Sequence, residues 1–364
     1  MSPYPPAQSD VPYWVAFAHS HKLGPTRFGL LRQHFTNLRQ AWQASASELT
    51  NAKLEPSVVS DILALRSRLT PETVWAELEK FKLSVTTVAS PDYPELLKQI
   101  FDPPPVLFYR GSLVSLARLA LAVVGTRRCT SYGLRATETL VTDLAHAGVT
   151  IVSGLAFGID AAAHRACLAA NGTTVGVLAG GLDQVYPTSN TKLAQDMVEQ
   201  GGALVSEFPP GTAPLKQNFP IRNRIIAGLT RGTIVVEAAP GSGALLTARY
   251  ALEANREVFA IPGSIFNEQS QGTNELIAAG AHLISKSSDV LDAFGLDQVI
   301  RSERPQLEQP FEDFWKLLPS EPVNVDELVR LAGLPAGEVV SRLTVLELGG
   351  YAREVGYQRF VRIS

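Results

Sequence analysis

Residues 150–164, "TIVSGLAFGIDAAAH", decide how the rest of the chain is read. Thr150 to Ser153 form a short strand that ends at Gly154; Gly158 lets the backbone turn, and Ile159 onward begins a helix. A strand that gives way to a helix in this manner is the turn of a β–α unit, and the N–H groups at such a helix start attract anions. Asp160 and His164 lie one helical turn apart, so the same residues also fit a catalytic acid–imidazole pair. No GxSxG elbow places a nucleophile beside them. The residues favour a phosphate-holding turn with a structural Asp160–His164 contact; catalysis stays as the alternative.

Working outward, further strands read as "LALAVVG" (119–125), "TTVGVLAG" (173–180), "ALVSE" (203–207), "TIVVEA" (233–238) and "EVFAIPG" (257–263). Helical patterns such as "LRATETLVTDLAHAG" (134–148) and "GALLTARYALEANR" (243–256) lie between several of them. Near-continuous apolar strands alternating with helices predict an α/β fold, a parallel sheet covered on both faces. Most of the strands run out on small residues: Gly125, Ser153, Gly180, Pro240 and Gly263. Ligands bind such sheets at the carboxyl ends of the strands.

Two flanking zones differ from this middle one. In "LGPTRFGLLRQHF" (23–35), Phe28, Leu31 and Phe35 make one helical face behind a Gly24–Pro25 break. "SASELTNAKLEPSVVSDILALR" (45–66) gives two more short helices, with Ser57 or Ser60 as caps. A glycine turn between short helices can grip a phosphate, though such units more often only pack. "PDYPELLKQIFDPPPVLFYRG" (91–111) reads as an extended connector. Beyond a polar linker, residues 326–350 read as helix, turn, helix and residues 351–364 as a ribbon, a winged-helix pattern. Its second helix carries Arg342 beside Glu338 and Glu347, too few cations for a duplex reader, so a packing or protein-contact module is favoured. The expected division is 1–110, 111–297, a linker at 298–310, and 311–364.

Composition sets outer limits. With 364 residues, 45% hydrophobic and 18% charged, the chain can bury a core in two or three domains. Its apolar runs are strand-length, well below the ~20 residues of a membrane span, and "MSPYPPAQSD" has no secretion-signal pattern. Cys129 and Cys167 have no metal-ligand spacing, so neither a disulfide scaffold nor a zinc site is expected, and a reducing cytoplasm is. A net charge of −3 speaks weakly against nucleic acid, because a site needs only local positive potential. Residues 119–285 hold 11 Lys and Arg against 12 Asp and Glu, so any such field must come from clustering at loops.

Three loops supply candidates. "AVVGTRRCTSYG" (122–133) is no GxGxxG fingerprint, since Arg127 and Arg128 stand where small residues are needed; two arginines at a strand tip point to an anion. No GxxxxGK[ST] occurs anywhere. "NFPIRNRIIAGLTRG" (218–232), with Lys216 upstream, combines cation, amide and aromatic, the residues of single-strand grooves. Arg222 and Arg224 are two apart and do not share a helix face, so one can reach ligand and the other a partner or carboxylate; the alternative is an arginine–carboxylate network with Glu207 or Glu237 that holds the loop without any ligand. Ser242 and Gly243 open a further helix that brings Thr247 and Arg249 near the crevice.

These motifs in this order, "VVGTRRCTSYG", "IVSGLAFGIDAAAH", "GGLDQVYPTSN", "FPIRNRIIAGL" and "GSGALLTARYALE", resemble the DprA/Smf DNA-processing family, densely over residues 91–284. The resemblance implies an extended Rossmann-like core that binds single-stranded DNA, with a SAM-like helical module before it and a winged-helix-like module behind. It also implies protection of single strands, loading of RecA recombinase in natural transformation, and homodimerisation. Carried over by motif, the DNA and phosphate contacts are Gly125, Arg127, Arg128, Ser153, Gly154, Phe157, Gly158, Lys192, Lys216, Asn218, Phe219, Arg222, Arg224, Ser242 and Gly243. Asp160 and His164 are structural, and His282, Leu283 and Ile284 fall where the family dimerises and meets RecA. Neither metal nor nucleotide cofactor is implied. The alternative is a Rossmann-type nucleotide phosphoribohydrolase, whose PGGxGTxxE reads here as "PGSGALLTA", without the glutamate.

Overall fold

The computed structural model describes residues 10–295 and 307–362, apart from 320, 350 and 357. Six helices come first: α1 (Val11–Ala18), α2 (Pro25–His34), α3 (Leu38–Gln43), α4 (Ala46–Asn51), α5 (Pro56–Arg66) and α6 (Pro71–Lys80). Helix α2 starts at Pro25 behind an extended Gly24 and buries Phe28 and Leu31, as their spacing requires. The caps differ from expectation. Ser45 and Glu48 close a reciprocal capping box on α4, and α5 starts with Pro56 behind Glu55. Proline's fixed φ and missing N–H suit the first helical position, so neither Ser57 nor Ser60 is needed as a cap.

Nine strands form one sheet: β1 (Ser84–Thr87), β2 (Val106–Gly111), β3 (Ala120–Val124), β4 (Thr150–Ser153), β5 (Thr174–Val177), β6 (Ala203–Ser206), β7 (Gly232–Val235), β8 (Glu257–Ala260) and β9 (His282–Leu283). Their order is β1-β2-β6-β5-β4-β3-β7-β8-β9. All neighbours from β6 to β9 are parallel; β1 and β2 join antiparallel. The stretch read as a connector thus contributes a core strand, with Phe108 paired to Ser206. A boundary at residue 110 would cut that strand. It would also divide a continuous core, because Phe17, Leu31 and Leu78 share an apolar cluster with Val106, Phe108 and Leu204 of the sheet.

The remaining helices of this unit are α7 (Glu95–Lys98), α8 (Ser131–His146), α9 (Ile159–Ala169), α10 (Thr191–Glu199), α11 (Asn218–Gly228), α12 (Gly243–Glu253), α13 (Glu268–Ala278) and α14 (Ser287–Ala293). β3 is wholly buried, and Leu121 and Val123 each contribute about 1.5–3 kcal/mol by leaving water. From β3 the chain adds β4, β5 and β6 in one direction, then returns to place β7 on the other side of β3. Connections after β3 and β7 therefore diverge, leaving a crevice at their carboxyl ends.

Residues 298–364 form a separate compact unit. Helices Phe311–Leu317, Val325–Ala332 and Ala336–Leu348 accompany a small sheet, β10 (Val323–Asn324), β11 (Ala352–Glu354) and β12 (Arg359–Arg362), ordered β10-β12-β11. Phe314, Leu328, Val339, Leu343 and Leu346 are its core. This is a winged helix; Gly333, at φ 64°, makes the left-handed turn between its second and third helices. The expected linker at 298–310 lies largely outside the described residues. Among the described residues no helix is long and apolar enough to cross a membrane.

Candidate nucleic-acid interface

At the β3/β7 switch point lies an open cavity of about 430 Å³. One wall is the turn after β3, Gly125 to Arg128, and the opposite wall is the turn after β7, Ala239 to Ala244. Phe219, Arg222 and Asn223 of α11 close the third side. The β3 turn is fixed by backbone: Thr126 N–H donates to Glu237 O at 2.7 Å, and Ile159 N–H donates to Thr126 O. Gly158 has φ 77°, and a Cβ there would stand 2.3 Å from Thr126 O, so only glycine lets the β4 turn approach this closely. Glu237 is buried and accepts from the N–H and hydroxyl of Thr130, the N-cap of α8. It ties the two walls together; it does not pair with an arginine.

Arg127 and Arg128 are exposed at the rim. The Arg127 guanidinium lies 5.0 Å from the centre of the Phe219 ring, which in turn meets Tyr186 edge-on at 6.0 Å. Ser242 caps α12 by accepting from Ala244 N–H, so the first amides of that helix border the cavity. Cationic side chains, an aromatic face and a helix start here share one concave surface.

The other α11 cations do different work. Arg222 is buried and donates through Nη1 to the carbonyls of Gly154, at 2.6 Å, and Val177, and through Nε to Asn223 Oδ1. Burial pushes its guanidinium down to about 10, against the pull of the Asp160 carboxylate; it stays charged at neutral pH. Arg224 turns to the opposite side and pairs with Asp102 at 2.9 Å and Glu207 at 2.7 Å. The two-residue spacing sends them to opposite sides as expected, but both are buried and tied to the scaffold, so the expected ligand contact of one of them is not found.

The Asp160–His164 contact does not form. Asp160 accepts from Gly154 N–H at 3.1 Å and from Ala156 N–H; burial pushes its carboxyl up, while Arg222 and these amides pull it down. His164 Nδ1 meets Thr174 Oγ1 at 2.7 Å, and that hydroxyl donates onward to Ile151 O. The ring must therefore donate through Nδ1, which leaves Nε2 buried without a partner. Burial drives His164 down to about 3, so the imidazole is neutral. Both residues are structural, each with its own partners.

Other expected contacts also sit elsewhere. Ser153 is buried and donates to Val123 O, and Asn218 is buried and donates to Ala213 O, so neither side chain faces a ligand. Gly154 lies beneath Arg222, where a Cβ would be 2.6 Å from the guanidinium. Phe157 is 50% exposed and Lys216 is exposed, but neither lines the cavity. Lys192 pairs with Asp196 one turn along α10, and Arg249 with Glu253 along α12; both lie outside the cavity lining. His282 and Leu283 form the sheet's edge strand, whereas Ile284 is 1% exposed and cannot present a contact surface. Sequence reasoning missed Tyr186, Thr126, Ala156 and Gln269. The last reaches the cavity from α13, over 140 residues from Arg127, with no local pattern to mark it. Among the described residues no group of three or more His, Cys, Asp or Glu is arranged to hold a metal.

Comparison with known proteins agrees with the architecture. A family model described as DNA recombination-mediator protein A matches residues 84–295, and the DprA winged helix domain matches 302–356. The chain is 36% identical to Protein Smf of Synechocystis sp., over 98% of this chain and 100% of that protein. The X-ray structure of DNA processing protein A from Streptococcus pneumoniae superposes with a TM-score of 0.67 at 36% identity, covering 77% of this chain and 97% of that one. DNA processing protein A from Helicobacter pylori, solved for its single-stranded DNA binding mode, gives 0.54 at 32% identity, over 60% and 97%.

Proposed function

The chain belongs to the DprA/Smf family of DNA-processing, recombination-mediator proteins, and on that premise we propose that the switch-point crevice holds single-stranded DNA. Arg127 and Arg128 take phosphates, the first amides of α12 assist, and Phe219 gives a nucleobase its ring face. One observation carries this reading: the exposed Arg127 guanidinium packs 5.0 Å over Phe219 on the wall of an open cavity. Guanidinium and ring together match what a single strand offers, alternating phosphates and uncovered base faces. Binding without hydrolysis is the favoured activity, since the neutral His164 and the amide-bound Asp160 are committed to the scaffold.

The finer role follows the family: the protein shields incoming single strands and passes them to a RecA-type recombinase, acting as a homodimer. Edge strand β9 supports this part, because an unpaired strand edge with Leu283 54% exposed offers backbone groups and an apolar contact to a partner. Fluorescence anisotropy with labelled oligo-dT and matching duplex, across a salt series, tests the crevice. Wild type should prefer the single strand and weaken with salt. Phe219→Ala should lose about 1–3 kcal/mol of single-strand affinity, the worth of one stacked base. Arg127→Ala/Arg128→Ala should lower both affinity and salt slope. Unchanged binding by both variants would sink the assignment.

A further inference from the structure

The turn after β8, residues 262–267, is held at both ends yet shows its apolar tip to water. The Pro262 carbonyl accepts from the Tyr132 hydroxyl at 2.8 Å. Gly263 exchanges two hydrogen bonds with the Asn274 side chain, at 3.2 and 3.0 Å. At the far end Asn267 donates its N–H to the Ser264 carbonyl and caps α13 by accepting from Gln269 N–H. Between these anchors Ile265 is 75% exposed and Phe266 is 93% exposed. Two adjacent large apolar side chains that a tethered backbone keeps in water forgo the burial that stabilises the core, and such a pair marks a contact surface.

This tip adjoins the crevice. Gln269 lines the cavity, and Phe266 comes three residues before it, so their Cα atoms lie within about 11 Å of each other. The anchor on the other side, Tyr132, follows Arg128 of the rim by four residues, in the first turn of α8, and is itself 42% exposed. β8 lies one strand beyond β7 in the sheet. Arg128, Tyr132 and Phe266 thus mark a course from the rim of the crevice toward the carboxyl end of β8.

We propose that a single strand held in the crevice continues over the β8 turn and stacks a further base on Phe266, an inference that rests on the crevice reading. The size of the patch selects the occupant. Its neighbours Ser264, Asn267 and Glu268 are polar, so it falls well short of the ~800 Å² that each partner buries in a stable protein interface. A base needs only one exposed ring face. The exposed Glu268 carboxylate beside the tip repels a phosphate, so the contact is to the base, and the phosphates stay with Arg127 and Arg128.

The test uses the full chain with Phe266→Leu, which keeps apolar bulk without a ring, and Phe266→Trp, which keeps a ring. Anisotropy is measured across salt with labelled oligo-dT of about 4 and about 16 nucleotides, the two ends of the range of single-strand site sizes. Phe266→Leu should bind the long strand about 5- to 150-fold more weakly, the loss of one stacked base, at an unchanged salt slope because no phosphate contact is removed. Short-strand binding should not change, and Phe266→Trp should keep wild-type affinity for both lengths. Full long-strand affinity in Phe266→Leu overturns the proposal. Equal weakening on both lengths also overturns it, because the residue would then belong to the crevice itself. A lower molar mass of Phe266→Leu in light scattering overturns it in favour of a contact between copies of the chain. Intact short-strand binding by Arg127→Ala/Arg128→Ala overturns the crevice reading and this path with it, whereas loss of that binding beside an unchanged Phe266→Leu overturns the β8 contact alone.

Discussion

Arg222→Ala should unfold the protein's central layer before it reveals anything about DNA. The buried guanidinium donates to the carbonyls of Gly154 and Val177, the carboxyl ends of β4 and β5. Hydrogen bonds from a charged donor contribute about 1.5–3 kcal/mol each, so two of them come to roughly 3–6 kcal/mol. That is a large part of the ~5–15 kcal/mol that holds a domain folded. The substitution also strips buried Asp160 of its strongest stabilising charge, which adds to the loss. Arg127→Ala removes an exposed side chain whose stacking contributes about 0.5–1 kcal/mol, so its stability should stay near wild type. Urea unfolding followed by tryptophan fluorescence, beside oligonucleotide anisotropy on the folded fraction, separates the two. The expected pattern is a lowered midpoint for Arg222→Ala and weakened binding at an unchanged midpoint for Arg127→Ala. A wild-type midpoint for Arg222→Ala, together with abolished binding, would refute the reasoning and make Arg222 a ligand contact.

Two further outcomes test the scaffold. Gly154→Ala places a Cβ 2.6 Å from the Arg222 guanidinium and should cost about 1–3 kcal/mol by overpacking, whereas Gly243→Ala meets only Asn223 Nδ2 at 3.7 Å and should stay within about 0.5 kcal/mol; similar urea midpoints for both variants would contradict this. His164, held near 3 when folded against 6.5 unfolded, binds fewer protons in the native state, so its stabilising contribution is complete above pH 6.5 and is lost as pH falls toward 3. The slope from this one group approaches about 1.4 kcal/mol per pH unit. Asp160, pushed up, works in the opposite direction, so the test is the difference between wild type and His164→Asn, which keeps a donor for Thr174 and should lose the acid-side slope.

Much of the fold was legible because its signals are local. Most of the parallel strands are short apolar runs that end on small residues, and β3 to β8 fall where those runs lie. β2 was hidden by Pro103, Pro104 and Pro105, which read as a connector although the strand begins immediately after them. The site was legible only in part, because sequence shows a residue's type and not its partners. Arg222 and Arg224 look equivalent on paper. Position on α11 alone sends one to strand-end carbonyls and the other to Asp102, 122 residues away. Asp160 and His164 show the same limit: helical spacing permits contact, but nearer groups, the Gly154 amide and the Thr174 hydroxyl, satisfy each of them first.

On the proposed assignment, the position of the arginines is what would let a Rossmann-like crevice take a polymer. A dinucleotide fingerprint keeps its first turn bare, so that a pyrophosphate settles on backbone amides inside the fold. Here Gly125 retains the tight approach, since a Cβ would meet Ile159 at 2.5 Å, but Arg127 and Arg128 follow at the rim. Charge is thereby moved from the floor of the crevice to its edge, while Arg222 braces the strand ends beneath. An edge lined by side chains can hold a phosphate whose neighbours continue in both directions, which a closed cradle cannot. On this argument the fold's ordinary anion site is kept as scaffold, and Arg127, Arg128 and Phe219 turn it outward. Exchanging Arg127 and Arg128 together for glycine should therefore abolish strand binding without creating dinucleotide affinity, because Arg222 still occupies the crevice beneath them, bound to the Gly154 carbonyl; tight dinucleotide binding by that variant, read by calorimetry, would show the argument to be wrong.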